Sequence, residues 1–259
     1  MILDKIIETK KEEVDALKKL ATISDLRDAI ADFPPCRDFN EAISCKDCAI
    51  IAEVKCASPS RGRLVENFDP LRIAKTYEQN SAAAISVLTD EKYFCGHKGY
   101  LTKIKEEVRM PVLRKDFIID PFQVYETRAI GADAILLIVR VLGQKLADFI
   151  LLARDLGLSP LVEVHTQDEL ELALAAGAEI IGINNRNLDT FVTDINTSRD
   201  LKAGIPDGKV VVAESAIKTR ADIEYLMDAG IHAFLIGEGL VIEPDMGRKL
   251  RIFLGEVQS

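Results

Sequence analysis

The chain has no apolar run long enough to cross a bilayer. The longest, Ala134 to Val139, lies between Asp133 and Arg140, far short of the roughly 20 residues a helical span needs. It has no surplus of basic residues either: 33 Lys and Arg face 42 Asp and Glu, a formal net charge of −9. That balance argues against an extended surface for nucleic acid or an anionic membrane, so any anionic ligand must be held by a few local cations. Cysteine is scarce. Cys36, Cys45, Cys48, Cys56 and Cys95 make an odd count of five, which fits reduced thiols in a cytoplasm better than a disulfide framework. Cys45 and Cys48 form a lone CxxC pair and His97, His165 and His232 are widely separated, so no metal or organic cofactor is called for. His165 reads as a loop residue. The opening residues, MILDKIIETK, carry charges where an export signal would need an unbroken apolar stretch, so a cytoplasmic setting is expected.

What is present is the alternation of a globular α/β protein, with 48% hydrophobic and 29% charged residues. Eight short apolar runs stand out: Ile50 to Lys55, Ala84 to Leu88, Val112 to Lys115, Ala134 to Val139, Leu161 to Val164, Ile180 to Asn184, Val210 to Ala213 and Ala233 to Gly237. Most lack polar alternation, as strands covered on both faces do. Between them lie amphipathic stretches such as Pro121 to Ile130, Gly143 to Leu156, Gln167 to Ala176 and Thr219 to Ala229, several followed by a helix-stopping glycine. No GxGxxG turn follows the first run, which argues against an open dinucleotide-binding sheet. The pattern predicts a single (β/α)8 TIM barrel over residues 48–259. Residues 1–47 form an N-terminal helical extension, with a first helix on Leu3, Ile6, Ile7, Val14, Leu17 and Leu20 and a second after a cap at Ser24. The extension is expected to pack over one end of the barrel.

Functional groups of such barrels gather where the strands end. Here the first run ends in Glu53 and Lys55, whose two-residue spacing places them on one side of the strand. Later runs end in Lys115, Glu163, Asn184 followed by Arg186, and Glu214. Buried charges are costly unless paired, so this mixture points to a compensating network or a reaction site. Two neighbouring lysines would depress one pKa toward general-acid use. Ser215 and Ala216 after the seventh run, and Gly237, Glu238 and Gly239 after the eighth, occupy the usual phosphate position of these barrels. The first loop, Ala57 to Gly62, adds hydroxyls and Arg61. A phosphorylated substrate is expected.

The strings IAEVKCASPSRG (51–62), VLRKDFIIDP (112–121), LVEV (161–164), IGINNRNL (181–188), VAES (212–215) and FLIGEGL (234–240) closely resemble indole-3-glycerol-phosphate synthase. The resemblance implies conversion of 1-(2-carboxyphenylamino)-1-deoxyribulose 5-phosphate to indole-3-glycerol phosphate, CO2 and water in tryptophan biosynthesis. It implies Lys115 as general acid on the ketone oxygen, Lys55 as partner of the anthranilate carboxylate and second acid, and Glu163 as base in dehydration. Glu53, Asn184 and Glu214 would orient the lysines and substrate hydroxyls, with Arg186 as a supporting cation. Ser58, Ser215, Ala216, Gly237 and Glu238 would hold phosphate, and Phe94, Phe117, Leu136 and Leu235 would bed the anthranilate ring. The resemblance leaves room for association with other tryptophan-pathway enzymes. Cys56, Cys95, Ala216 and Glu238 depart from the family's usual residues. A chain carrying alanine at 216 is expected to hold it at negative φ. Another phosphosugar barrel, such as phosphoribosylanthranilate isomerase or a Schiff-base lysine enzyme, is the competing enzyme class, and a silent docking barrel is the non-enzymatic one.

Overall fold

A computed structural model of the protein describes residues 2–59, 61–187, 190 and 192–258. Ser60 of the first loop and Leu188 of the sixth-strand motif lie outside them. Eight parallel strands close on themselves: β1 (Ala49–Val54), β2 (Ala84–Leu88), β3 (Val112–Lys115), β4 (Ala134–Ile138), β5 (Ser159–Val164), β6 (Ile180–Asn184), β7 (Val210–Glu214) and β8 (Ala233–Ile236). Each strand pairs with its sequence neighbours, and β1 closes the ring by pairing with β8 through Ala49↔Ala233 to Ala52↔Ile236. The fold is the (β/α)8 barrel with helices between strands.

Alternation along each strand divides the apolar residues into two cores. Ile50, Ala52 and Val54 turn outward into a shell shared with the helices, whereas Ala49, Ile51, Leu113, Leu161, Val212 and Leu235 fill the barrel. The period-two rule then carries Glu53, Lys115, Glu163 and Glu214 to the interior side, at the carboxyl ends of the strands.

The N-terminal extension reaches both ends of the barrel, not one. Helix α1 (Ile2–Lys18) buries Leu3, Ile6, Lys10 and Val14, a stripe at helical spacing, over the carboxyl end; Leu20 is 84% exposed and takes no part. Helix α2 (Ile23–Ile30) is capped by Thr22, not by Ser24. The Thr22 hydroxyl accepts from Asp25 N while the Asp25 carboxylate accepts from Thr22 N at 2.7 Å, a reciprocal pair that Ser24, inside the first turn, has no geometry to make. The connecting chain passes the outside of the barrel, where Arg37 N donates to the buried Asp133 carboxylate at 2.7 Å. Helix α3 (Phe39–Ser44) then seals the amino end with Phe39 and Ile43, both fully buried against the inner cluster.

Lys10 fastens α1. Its ammonium lies 3.0 Å from Asp90, 3.0 Å from Asp116 and 2.7 Å from Glu13, with only 4% of the side chain exposed. Burial alone would lower its pKa, but Asp116 and Asp90 raise it above the ordinary lysine value. Removing one member of a buried ionic group leaves the others uncompensated. Lys10→Met is therefore expected to lower unfolding free energy by about 3 kcal/mol in urea titrations, with a smaller loss in the double variant Lys10→Met/Asp116→Asn than the two single losses summed.

Candidate active site

A cavity of about 650 Å3 opens at the carboxyl end, and all the site residues singled out from the sequence line it. The strand register sets their heights. Asn184 is level with Glu214, Glu163 with Gly182 and Ile138, and Leu88 with Lys115. Lys115 Nζ stands 2.9 Å from Glu214 Oε2 and 3.3 Å from Glu163 Oε2. Lys55 Nζ pairs with Glu53 Oε1 at 3.2 Å and lies 5.6 Å over the Phe94 ring, and Phe94 packs against Phe117 with centroids 6.1 Å apart. Arg186 N donates to Asn184 Oδ1 at 3.0 Å, bracing the turn after β6. Two glycines leave room for the acids: a Cβ on Gly237 would collide with Glu53 Oε1, and one on Gly182 with Glu214 Oε1.

The electrostatics differ from the sequence expectation of a depressed lysine. Burial would lower Lys115, but Glu214, Glu163 and Glu53 outweigh it and hold its pKa above the ordinary value. A lysine neighbour matters less than three carboxylates. For Glu163, burial is opposed by Lys115, His165 and a hydrogen bond from Asn184, which together keep it below the ordinary glutamate value. Burial pushes Glu214 up to about 7; Lys115 pulls it down, but the charges of Glu163 and Glu53 add to the rise. One ammonium does not neutralise two buried carboxylates, and Glu214 is the one that gives way.

The turn after β7 also departs from the sequence expectation. Ser215 and Ala216 both have φ of 64°, so the alanine is not at negative φ. The turn is anchored from outside: Asn185 Nδ2 donates to Ser215 O at 3.2 Å, and Asn185 Oδ1 in turn accepts from Ser198 N at 3.0 Å and Ser198 Oγ at 2.9 Å. These bonds outweigh the modest steric cost of a Cβ in the left-handed region. Glu238 does not present a bare charge, because Arg61 Nη1 lies 3.1 Å from its Oε1.

Three features were not singled out in the sequence. Ile2, Leu3 and Ile6 of α1 line the cavity; their amphipathic spacing was visible, but not the surface they would cover. Lys249 of the Met246–Leu254 helix also lines it. His165, expected as an ordinary loop residue, is in a loop, but only 8% of its side chain is exposed and its Nε2 lies 3.6 Å from Glu163 Oε1.

A family model described as indole-3-glycerol phosphate synthase matches residues 3–253. The chain belongs to that family. It is 49% identical over 247 residues to the indole-3-glycerol phosphate synthase of Chlorobium phaeovibrioides, covering 94% of this chain and 96% of that one. It is 48% identical over 259 residues to that of Caldanaerobacter subterraneus, covering both chains fully. A solved structure described as "Native KDPGal structure" shares the fold, with a TM-score of 0.58 and 16% identity over 81% of this chain and 94% of that one.

Two outcomes follow for this family member. Ala216→Gly should relieve the left-handed strain and raise stability by up to about 1 kcal/mol in thermal unfolding. Glu214, raised from an unfolded value of 4.5 to about 7, binds a proton in the native state over that interval that the unfolded chain does not. Its contribution to stability therefore falls as pH rises from about 4.5 through about 7. Glu214→Gln should flatten that fall in urea unfolding at pH 5 and pH 8.

Proposed function

We propose that this constellation carries out the family's ring closure, with roles divided by environment. Family membership makes the chain a carbon–carbon lyase of tryptophan biosynthesis acting on a small phosphosugar substrate. In the proposed sequence Lys115 gives its proton to the ketone oxygen, and the carbonyl carbon becomes electrophilic enough for the aromatic carbon bearing the carboxylate to attack. Loss of CO2 restores the ring, and departure of the new hydroxyl as water, with a proton passing to Glu163, completes the indole.

The observation that carries this reading is the Lys115 ammonium, buried between Glu163 and Glu214 and held fully protonated. A Schiff-base role would need a neutral amine, and three nearby carboxylates oppose that form. A cysteine–aspartate pair, wanted by an isomerase, has no counterpart at the end of β1, where Glu53 and Lys55 stand. Lys55, beside Phe94, is suited to the carboxylate of an anthranilate ring lying on Phe94 and Phe117. Glu53 Oε2 and Glu214 Oε1 are buried with no hydrogen-bond donor among the described residues. Substrate hydroxyls would supply those donors. Backbone N–H groups at Ala216, Gly237 and Glu238, with Ser58 and Ser215, would cradle phosphate. Five free thiols support a cytoplasmic setting.

Lys115→Met keeps the approximate side-chain volume and removes the acid. Single-turnover assays of indole fluorescence should show kcat lower by 10² to 10⁴ or more, a range typical of general acid catalysis, with substrate still bound. More than about a tenth of parental kcat would overturn the assignment, and a borohydride-trapped substrate adduct would favour the Schiff-base reading.

A further inference from the structure

The reaction consumes a proton. A carboxylate leaves as neutral CO2, so a substrate trianion and one H+ give a product dianion, CO2 and water. Lys115 donates once in ring closure and an acid is needed again when water departs, while Glu163 recovers only one proton. The set of Lys115, Lys55 and Glu163 must therefore gain one proton from solvent in each turnover. Lys115 and Glu163 both line the cavity at the barrel mouth, with side-chain exposures of 17% and 3%.

His165 stands where a route for that proton would run. Its Nε2 lies 3.6 Å from Glu163 Oε1, the oxygen that does not face Lys115. That Nε2 is buried and makes no hydrogen bond among the described residues. On the other side of the ring, Nδ1 lies 3.3 Å from Glu169 Oε2, which also accepts from His165 N at 2.6 Å. The Glu169 side chain is 16% exposed, and His165 and Glu169 border a second cavity of about 400 Å3 outside the barrel mouth. Glu169 is fixed by the first turn of the Gln167–Ala175 helix, whose cap Thr166 accepts from Glu169 N. The imidazole thus bridges two carboxylates, one inside the site and one at its rim.

We propose that His165 is a positioning residue that acts through Glu163, passing one solvent proton per turnover along Glu169, His165 and Glu163 to Lys115. This rests on the roles assigned to Lys115 and Glu163 above. In the step, the N–H bond at His165 Nε2 breaks as an O–H bond forms at Glu163 Oε1. The neutral ring, left with its proton on Nδ1, tautomerises through water to the Nε2–H form and is reprotonated at Nδ1 from the Glu169 side, and Glu163 hands its proton to neutral Lys115 Nζ, 3.3 Å away. A contraction of a few tenths of an ångström brings Nε2 into hydrogen-bond range, as catalytic contacts commonly tighten around substrate. The charged groups facing the ring are Glu163 from β5, Glu169 from the following helix and Glu214 from β7, with Arg140 on the rim of the second cavity. Burial would discharge the imidazole, but Glu169, Glu163 and Glu214 prevail and raise its pKa, keeping a proton available near neutral pH.

The test compares the parent with His165→Gln, His165→Ala and Glu169→Gln in steady-state assays on the carboxyphenylamino-deoxyribulose phosphate from pH 6 to 9, in H2O and D2O. The relay predicts kcat lower by about tenfold or more in the two His165 variants, with KM within about threefold of the parent. The loss should deepen as pH rises, the solvent isotope effect should increase, and added imidazole should restore turnover to His165→Ala. Glu169→Gln should show the same pH trend at smaller amplitude. A uniform loss at every pH without imidazole rescue would mark a structural histidine and overturn the relay, as would parental kcat in His165→Gln, which keeps the assay decisive if the alanine variant does not fold. Lys115→Met separates the two readings: if it is inactive while the His165 variants match the parent, the relay alone fails, and if it retains activity, the reading beneath it fails.

Discussion

The carboxyl end of this barrel is governed by five charges placed together, three of them carboxylates almost fully shielded from solvent. Glu53, Glu163 and Glu214 are each at most 2% exposed, and Lys55 and Lys115 share them. Desolvating any one of these groups alone costs several kcal/mol, so the set persists only because each ammonium touches a carboxylate and the strands hold the geometry. The sum is still one negative charge in excess. Burial, with that excess added to it, drives Glu214 up to about 7, and the same carboxylates keep Lys115 protonated.

The surrounding fold protects that arrangement with a second layer of ions. Alternation along β3 sends Lys115 inward and its neighbour Arg114 outward, where Arg114 meets Asp116 at 3.1 Å and Glu126 at 2.9 Å while fully shielded from solvent. Asp116 also receives Thr89 and Lys10. The N-terminal helix is therefore tied, through Lys10, to the residue immediately after Lys115. Its apolar face lines the same cavity as the ions, so the extension walls the site and braces the β3 end at once. Gly182 and Gly237 complete the design by omission, since a Cβ at either would occupy a carboxylate's space.

Much of this was legible in the chain. All eight strands fall on the apolar runs within one or two residues at each end, because strands buried on both faces have little choice of composition. The interior charges were legible for a related reason: with a side-chain period of two, Glu53 must share the side of Ile51, and Glu163 that of Leu161. The sequence strings also carried the family, whose model spans nearly the whole chain.

Other features depended on groups far apart in the chain. The passage of the extension to both barrel ends and the burial of Lys10 depend on partners such as Asp90 and Asp133. Ala216 has a left-handed backbone in a turn whose Ser215 carbonyl is held by Asn185, itself fixed by Ser198, both from a different βα unit. His165 is a loop residue by local pattern with Glu163 and Glu169 close by in the chain, and the folding of β5 against β6 and β7 adds Glu214 and the burial of the ring. Local periodicity by itself determined which residues enter the barrel, since alternation is a property of the strand. The tertiary structure decided which charges meet and which proton each holds, since desolvation and Coulomb terms depend on distances that no single segment contains.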